Sequence, residues 1–195
     1  MAASTQTKLS PAEYLALDRA SDLRHEYVDG LMVAMSGGTG RHSLLIGSFS
    51  RLLGNALFDR QCAVSVTELR LQVTQGGAYL YPDIMVICGS FQYADSTEDI
   101  VLNPTVIVEV LSDSTERWDR NGKFAKYMLV PTLREYVLVS QDKMCIEWFT
   151  RRDNGEWVPH AANGPEAVCR LESLDIALPL AEVYRRIELA RSPSP

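Results

Sequence analysis

The segment Thr105-Val106-Ile107-Val108-Glu109-Val110-Leu111 constrains the fold most. Its β-branched run has no polar face, which is the habit of a strand buried on both sides of a sheet. Residues 114–130 then read as helical, and Tyr136-Val137-Leu138-Val139 is a second apolar strand. Strand, helix and buried strand in that order imply a right-handed crossover with parallel pairing. Within the first strand stands Glu109, a carboxylate that is expensive to ionise in such surroundings unless something compensates it. A salt bridge to lysine or arginine, an edge position facing water, and a chemical task all remain open for it.

The other elements follow from local signals. Ser10-Pro11-Ala12-Glu13 is a capping box with proline at the first helical position, so a short helix is expected from 11 to 19. Glu26-Tyr27-Val28 and Leu31 to Met35 flank an Asp29-Gly30 turn and read as a hairpin. A glycine-rich link, Ser36 to Gly40, leads into a helix from 41 to 57. Residues 62–73 alternate as one strand, and Gly76-Gly77 turns the chain into a second, Tyr81 to Cys88. A looser acidic stretch spans 89–103. Strands at 144–150 and 156–161 and a helix from Pro179 to about 190 close the chain. The sum is an α/β or α+β chain: a central mixed β-sheet flanked by helices. At 195 residues, one domain over 9–190 is expected, with loose ends at 1–8 and 191–195.

Charge narrows the function. Nineteen basic against 25 acidic side chains give −6, which excludes a protein that coats nucleic acid wholesale. A local basic patch or an acidic metal cluster facing a phosphate is not excluded. No apolar stretch is long enough to cross a membrane, and Met1 to Lys8 lack the apolar core of a signal peptide, so a cytoplasmic protein is expected. The four cysteines, Cys62, Cys88, Cys145 and Cys169, form no Cys-x-x-Cys pair and read as buried free thiols.

Asp83 follows Pro82 and opens the apolar run Ile84-Met85-Val86-Ile87, so it sits where a strand enters the core. If its strand neighbours that of Glu109, two carboxylates without a local cation make a site for a hard ion, Mg²⁺ or Mn²⁺, rather than zinc. His25, His42 and His160 lack paired ligand spacing. Asp119, Lys123 and Tyr127 share a helical face at i, i+4 and i+8; an Asp–Lys pair at this spacing is ordinarily an exposed one. It gains interest only because a crossover helix packs back on the sheet beside Glu109. Glu26 reads alone as an ordinary glutamate at the start of a strand, and His42 as a cap or a phosphate contact. Ser36 to Gly40 lacks the lysine and spacing of a P-loop.

Taken together, Pro82-Asp83-Ile84, Glu109 within Pro104 to Ser112, and Lys123 resemble the PD-(D/E)XK nuclease superfamily. With Arg24 to Gly30, Met35-Ser36, His42, Asp119, Tyr127 and Glu135-Tyr136, the chain resembles more closely the Uma-two-type restriction endonucleases of bacteria, over residues 9 to 185. The resemblance implies a restriction-endonuclease-like core and Mg²⁺- or Mn²⁺-dependent cleavage of DNA. It departs from the superfamily at Leu111, which stands where the lysine two residues after the glutamate is usual. Relatives take that lysine from the following helix, which here means Lys123, with Lys126 as fallback. On this reading Asp83, Glu109 and the backbone carbonyl of Val110 hold the ion. Lys123 orients or deprotonates the attacking water and stabilises the developing charge, and Glu26 holds a second ion or an outer water. DNA is the expected partner, and a homodimer is compatible. Two rivals stand: a nuclease-fold binding or structural protein without catalysis, supported by Leu111 and the acidic balance, and a Mg²⁺-dependent hydrolase of small phosphate esters.

Overall fold

Ser10 and Glu13 cap each other reciprocally and Pro11 opens the first helix, α1 (Pro11–Arg19), as the local signals require. The computed structural model describes residues 8–35, 37–74 and 77–189. Asp29 and Gly30, both at positive φ, turn β1 (His25–Val28) into β2 (Leu31–Ala34). Thr39 caps α2 (Gly40–Ala56), which buries Leu45, Phe49 and Leu53 at helical spacing. The chain continues through β3 (Cys62–Val66), β4 (Arg70–Thr74), β5 (Ala78–Leu80), β6 (Ile84–Cys88), β7 (Ile100–Val101) and β8 (Val106–Leu111). A π-helical turn, Trp118–Lys123, runs directly into α3 (Phe124–Tyr127). Then come β9 (Glu135–Ser140), β10 (Cys145–Arg151), β11 (Trp157–Asn163), the hairpin β12 (Val168–Leu171) and β13 (Ile176–Pro179), and α4 (Leu180–Val183).

The central sheet is mixed and six-stranded, ordered β11-β10-β9-β8-β6-β3. β8 and β9 pair in parallel from Val106↔Glu135 to Leu111↔Ser140, as the crossover demands. All six residues of β8 are buried. Val106, Val108 and Val110 face α2 and α4, while Ile107 and Leu111 face Tyr127, Tyr136 and the second sheet. Strand alternation therefore puts Glu109 on the α3 side. The fold is thus the expected α/β (α+β) arrangement of a central mixed sheet flanked by helices.

Several local expectations change. The stretch 62–73 is two strands, because Thr67 takes a positive φ of 49° and redirects the chain. β3 joins the central sheet, and β4 joins a second, five-stranded sheet ordered β2-β1-β5-β4-β7. The strand expected over 81–88 begins only at Ile84, and an unexpected short strand, β5 (Ala78–Leu80), precedes it in the second sheet; Pro82, with no N–H to give a ladder, lies between the two. The helix expected over 114–130 forms over 116–127 with the π turn inside it, and the one from 179 shrinks to Leu180–Val183. Cys62 and Cys88 are not free thiols: antiparallel pairing of β3 and β6 places them directly opposite each other, and they form a disulfide. Cys145 and Cys169 are free and buried, as expected. The expected loose ends, apart from Lys8, together with Ser36 and Gly76, lie outside the described residues.

Candidate active site

The site begins where β6 stops. Its ladder with β8 runs from Val86↔Val106 to Ile84↔Val108 and ends there, leaving Glu109 and Val110 beyond the last pair. The side chain of Asp83 takes the place of the missing strand: Val110 N–H donates to Asp83 Oδ2 at 2.8 Å. The backbone N–H of Asp83 in turn donates to Glu109 Oε2 at 3.3 Å. Asp83 and Glu109 are therefore neighbours at this end of the β6–β8 ladder: the Asp83 backbone holds Glu109, and the Val110 backbone holds Asp83.

The crossover supplies the cation. Lys123 Nζ lies 3.0 Å from Glu26 Oε1, 3.1 Å from Glu109 Oε1 and 3.4 Å from Asp119 Oδ1. Tyr127 Oη donates to the same Glu109 oxygen at 2.7 Å. Glu26 is fixed further by the Tyr81 backbone N–H and the Trp118 indole N–H, each at 3.3 Å. Glu109 and Asp119 are 2% exposed, Lys123 5% and Glu26 8%. The Asp119–Lys123 pair is thus buried, contrary to the exposed reading of its spacing. The π turn makes this placement possible by widening the helix next to the sheet, and it depends on Gly122, whose Cβ would fall 1.8 Å from the Trp118 ring. Lys126 lies outside: it pairs with the exposed Asp29 at 2.8 Å. Leu111 occupies the strand position two residues on, buried in apolar packing.

One ammonium faces three buried carboxylates, and the protonation equilibria follow. Burial, reinforced by Asp83, Asp119 and Glu26, pushes Glu109 well above the usual carboxylate range despite the pull of Lys123. Burial likewise raises Asp119. For Lys123 burial favours the neutral amine, but Glu109, Glu26 and Asp119 outweigh it and hold the group well above the ordinary lysine range. Asp119 Oδ1 is buried without a hydrogen-bond partner, its contact with Lys123 having the distance of an ion pair only. His42, on the first turn of α2, brings Nε2 to 3.2 Å from Asp83 Oδ2. Burial draws its pKa down, yet the Asp83 carboxylate and Val110 carbonyl beside it raise it overall.

These groups line a cleft of about 270 Å³ together with Thr39, Ser112 and Gln141. The structure brings Asp83, Glu109, Val110, Lys123 and Glu26 to one place. Among the described residues no three His, Cys, Asp or Glu side chains are arranged around a common metal point. The Lys123 ammonium pairs with both Glu26 and Glu109 and bridges their carboxylates. Two contacts escaped the sequence reading: the hold of Tyr127 on Glu109, visible there only as a shared helical face, and the contact of His42 with Asp83, which no spacing signals.

A central mixed sheet flanked by helices, with Glu109 on a central strand against a lysine of the crossover, is a restriction-endonuclease-like class of fold. The chain belongs to the Uma2 family, described as "Putative restriction endonuclease", whose model matches residues 11–181. It is 35% identical over 178 residues to the "Uncharacterized protein slr1290" of Synechocystis, covering 91% of this chain and 92% of that protein. To "Uncharacterized protein sll1609" of the same organism it is 33% identical over 158 residues, covering 81% and 89%. The crystal structure of a "putative nuclease belonging to DUF820" from Anabaena variabilis shares the fold, with a TM-score of 0.75 at 17% identity, over 91% of this chain and 98% of that one.

Proposed function

We propose that the protein is a metal-dependent endonuclease that hydrolyses DNA phosphodiester bonds, with Mg²⁺ or Mn²⁺ as its ion. The observation that carries this reading is the meeting of Asp83, Glu109 and Lys123 where β6 gives way to the cleft. The donor set suits a hard cation: it is made of oxygen, its buried carboxylates outnumber its one ammonium, and Asp119 Oδ1 lacks a hydrogen-bond partner. Asp83, Glu109 and the Val110 carbonyl would hold the ion, with Glu26 beyond them. When bound, the ion supplies Lewis acidity toward the phosphate and its attacking water.

The chain's own groups do the rest. Lys123, kept protonated by its carboxylates, stabilises the negative charge that develops on the phosphoryl oxygens and orients the water, a task better suited to an ammonium than proton abstraction is. Tyr127 fixes the Glu109 carboxylate, and Tyr81 and Trp118 fix Glu26, so that Lys123 is aimed before substrate arrives. A site that had lost its chemistry would have no reason to keep four polar groups buried in one cleft, which favours this reading over the inactive alternative. The description of the family as restriction endonucleases points the same way, as does the nuclease name borne by the Anabaena protein.

The test is nicking of supercoiled plasmid with Mn²⁺ and its suppression by EDTA, alongside calorimetry of Mn²⁺ on wild type and Asp83→Asn. Cleavage with Mn²⁺ and loss of binding in the variant are expected. An intact plasmid under all ions, or unchanged affinity in Asp83→Asn, would sink the proposal.

A further inference from the structure

We infer that the phosphate backbone of duplex DNA leaves the candidate active site along α2 and is gripped by Arg51, Arg185 and Arg186. The inference rests on the nuclease reading above and specifies how the substrate lies. It starts from cavities that share walls. The cleft holding Asp83 and Glu109 adjoins a second, of about 540 Å³, through His42, Gly38 and Asp83 itself. That second cavity adjoins a third, of about 500 Å³, through Ser43. Ile46, Val66 and Thr67 place the second cavity on the β3 flank of α2, and Glu182, Arg185 and Arg186 place the third on its α4 flank; the two meet at Ser43 on the exposed outer face between them, and the three arginines wall the far one.

The charge of that far end opposes the charge of the molecule. The chain as a whole carries −6, yet here three guanidinium groups face one carboxylate, Glu182, which pairs with Arg185 at 2.5 Å. Among the described residues Arg51 and Arg186 make no ion pair, and both are exposed. The helix surface leading to them is open: Ser43, Gly47 and Arg51 recur at i, i+4 and i+8, and a Cβ on Gly47 would meet nothing within 4 Å. From Ser43, where the two outer cavities meet, to Arg51 on the same outward face is eight residues, or about 12 Å at ~1.5 Å per residue of helix. At ~3.4 Å per base pair that distance corresponds to about four base pairs. A small phosphate ester would fill the first cleft alone and gain nothing from cations so far away. A polyanion uses both ends.

The test separates binding from cleavage. Anisotropy of a labelled duplex of about 20 base pairs is measured in EDTA against salt, for wild type and Arg51→Ala/Arg186→Ala. The double variant should weaken binding and flatten the slope of log K against log salt by about 1.8, at ~0.9 per lost phosphate contact. Its Mn²⁺ affinity should equal that of wild type. Trimming the duplex on one side of the cut to about two base pairs should slow cleavage by wild type and leave the variant indifferent. An unchanged salt slope in a variant that still cleaves overturns the arginine track and leaves the nuclease reading standing. Binding through the arginines without any cleavage supports the track and removes the hydrolysis. A wild type that binds no duplex at any salt overturns both.

Discussion

Two buried carboxylates in this molecule live in opposite electrostatic circumstances. Asp18, 4% exposed, accepts hydrogen bonds from Arg70 Nε at 2.8 Å, an Arg70 terminal nitrogen at 2.7 Å and Tyr81 Oη at 2.7 Å, while its other oxygen takes the His25 backbone N–H at 2.8 Å. Burial works to raise its pKa, but Tyr81, Arg70 and His25 together hold it below the ordinary range. Glu109, 2% exposed, shares a single lysine with two other carboxylates and is driven well above that range. The first network is satisfied and ties α1, β1 and β4 together. The second is kept short of positive charge, at some cost to the fold. A fold tolerates such a deficit where a ligand is meant to complete it.

The comparison can be broken by experiment. The largest effect belongs to the satisfied network. Arg70→Met would strand the Asp18 charge and should cost about 3–5 kcal/mol in denaturant unfolding. Lys123→Met should cost clearly less stability, because burial already raises the pKa of Glu109 and Asp119, so that either can take up a proton once the ammonium is gone. Equal losses in the two variants would erase the distinction. In turnover the ranking reverses, since Lys123→Met should slow plasmid cleavage by roughly 10²-fold or more, the scale of losing one preorganised charge.

A smaller effect sharpens the contrast through pH. The folded pKa of Asp18 is depressed, so its stabilisation is present above the unfolded value of about 3.9 and is lost as pH falls through the folded one. Asp18→Asn should therefore be less stable than wild type at neutral pH, with the gap narrowing as the buffer is taken to strongly acid values. Thermal melts across that range would show it, and a constant gap would refute it. Least of all should come from Lys126→Ala. Its partner Asp29 is exposed, so the change should cost under about 0.5 kcal/mol and leave cleavage untouched. Loss of cleavage there, with full activity in Lys123→Met, would move the catalytic cation to Lys126.

Much of this is legible in the sequence. β-branching in 106–111 announced a central strand, the capping box located α1, and the Asp29-Gly30 turn located the hairpin, because each is a local signal with one dominant reading. The splits at Thr67 and between β5 and β6 were not legible. At the first, alternation continues and the chain turns at Thr67, a residue that does not advertise a positive φ; at the second, Pro82 marks a break but nothing in the sequence assigns Ala78–Leu80 to another sheet. The hairpin β12–β13 was missed for a similar reason: its turn passes through Asp175 at a φ of 48°, with no glycine to mark it. The disulfide was hidden because a spacing of 26 says nothing of register. Within the site, Asp83 and Glu109 stood out as charges in apolar strands. Lys123 did not, because an aspartate four residues before a lysine is the ordinary pattern of a solvated helix. Only its place beside a buried glutamate distinguishes it.

The π turn over Trp118–Lys123 has an evolutionary corollary. A π turn is what an α-helix becomes when it absorbs one additional residue while both of its ends stay anchored. Deleting one position between Asp119 and Lys123 would restore a regular helix, rotating one of these side chains by about 100° relative to the other. The descendant would keep its sheet, its hairpins and its apolar packing, and would aim its ammonium away from Glu109. In this lineage a single codon loss would part Lys123 from Glu109 and leave the architecture intact, so relatives without the pairing should be sought by helix length rather than by missing acids.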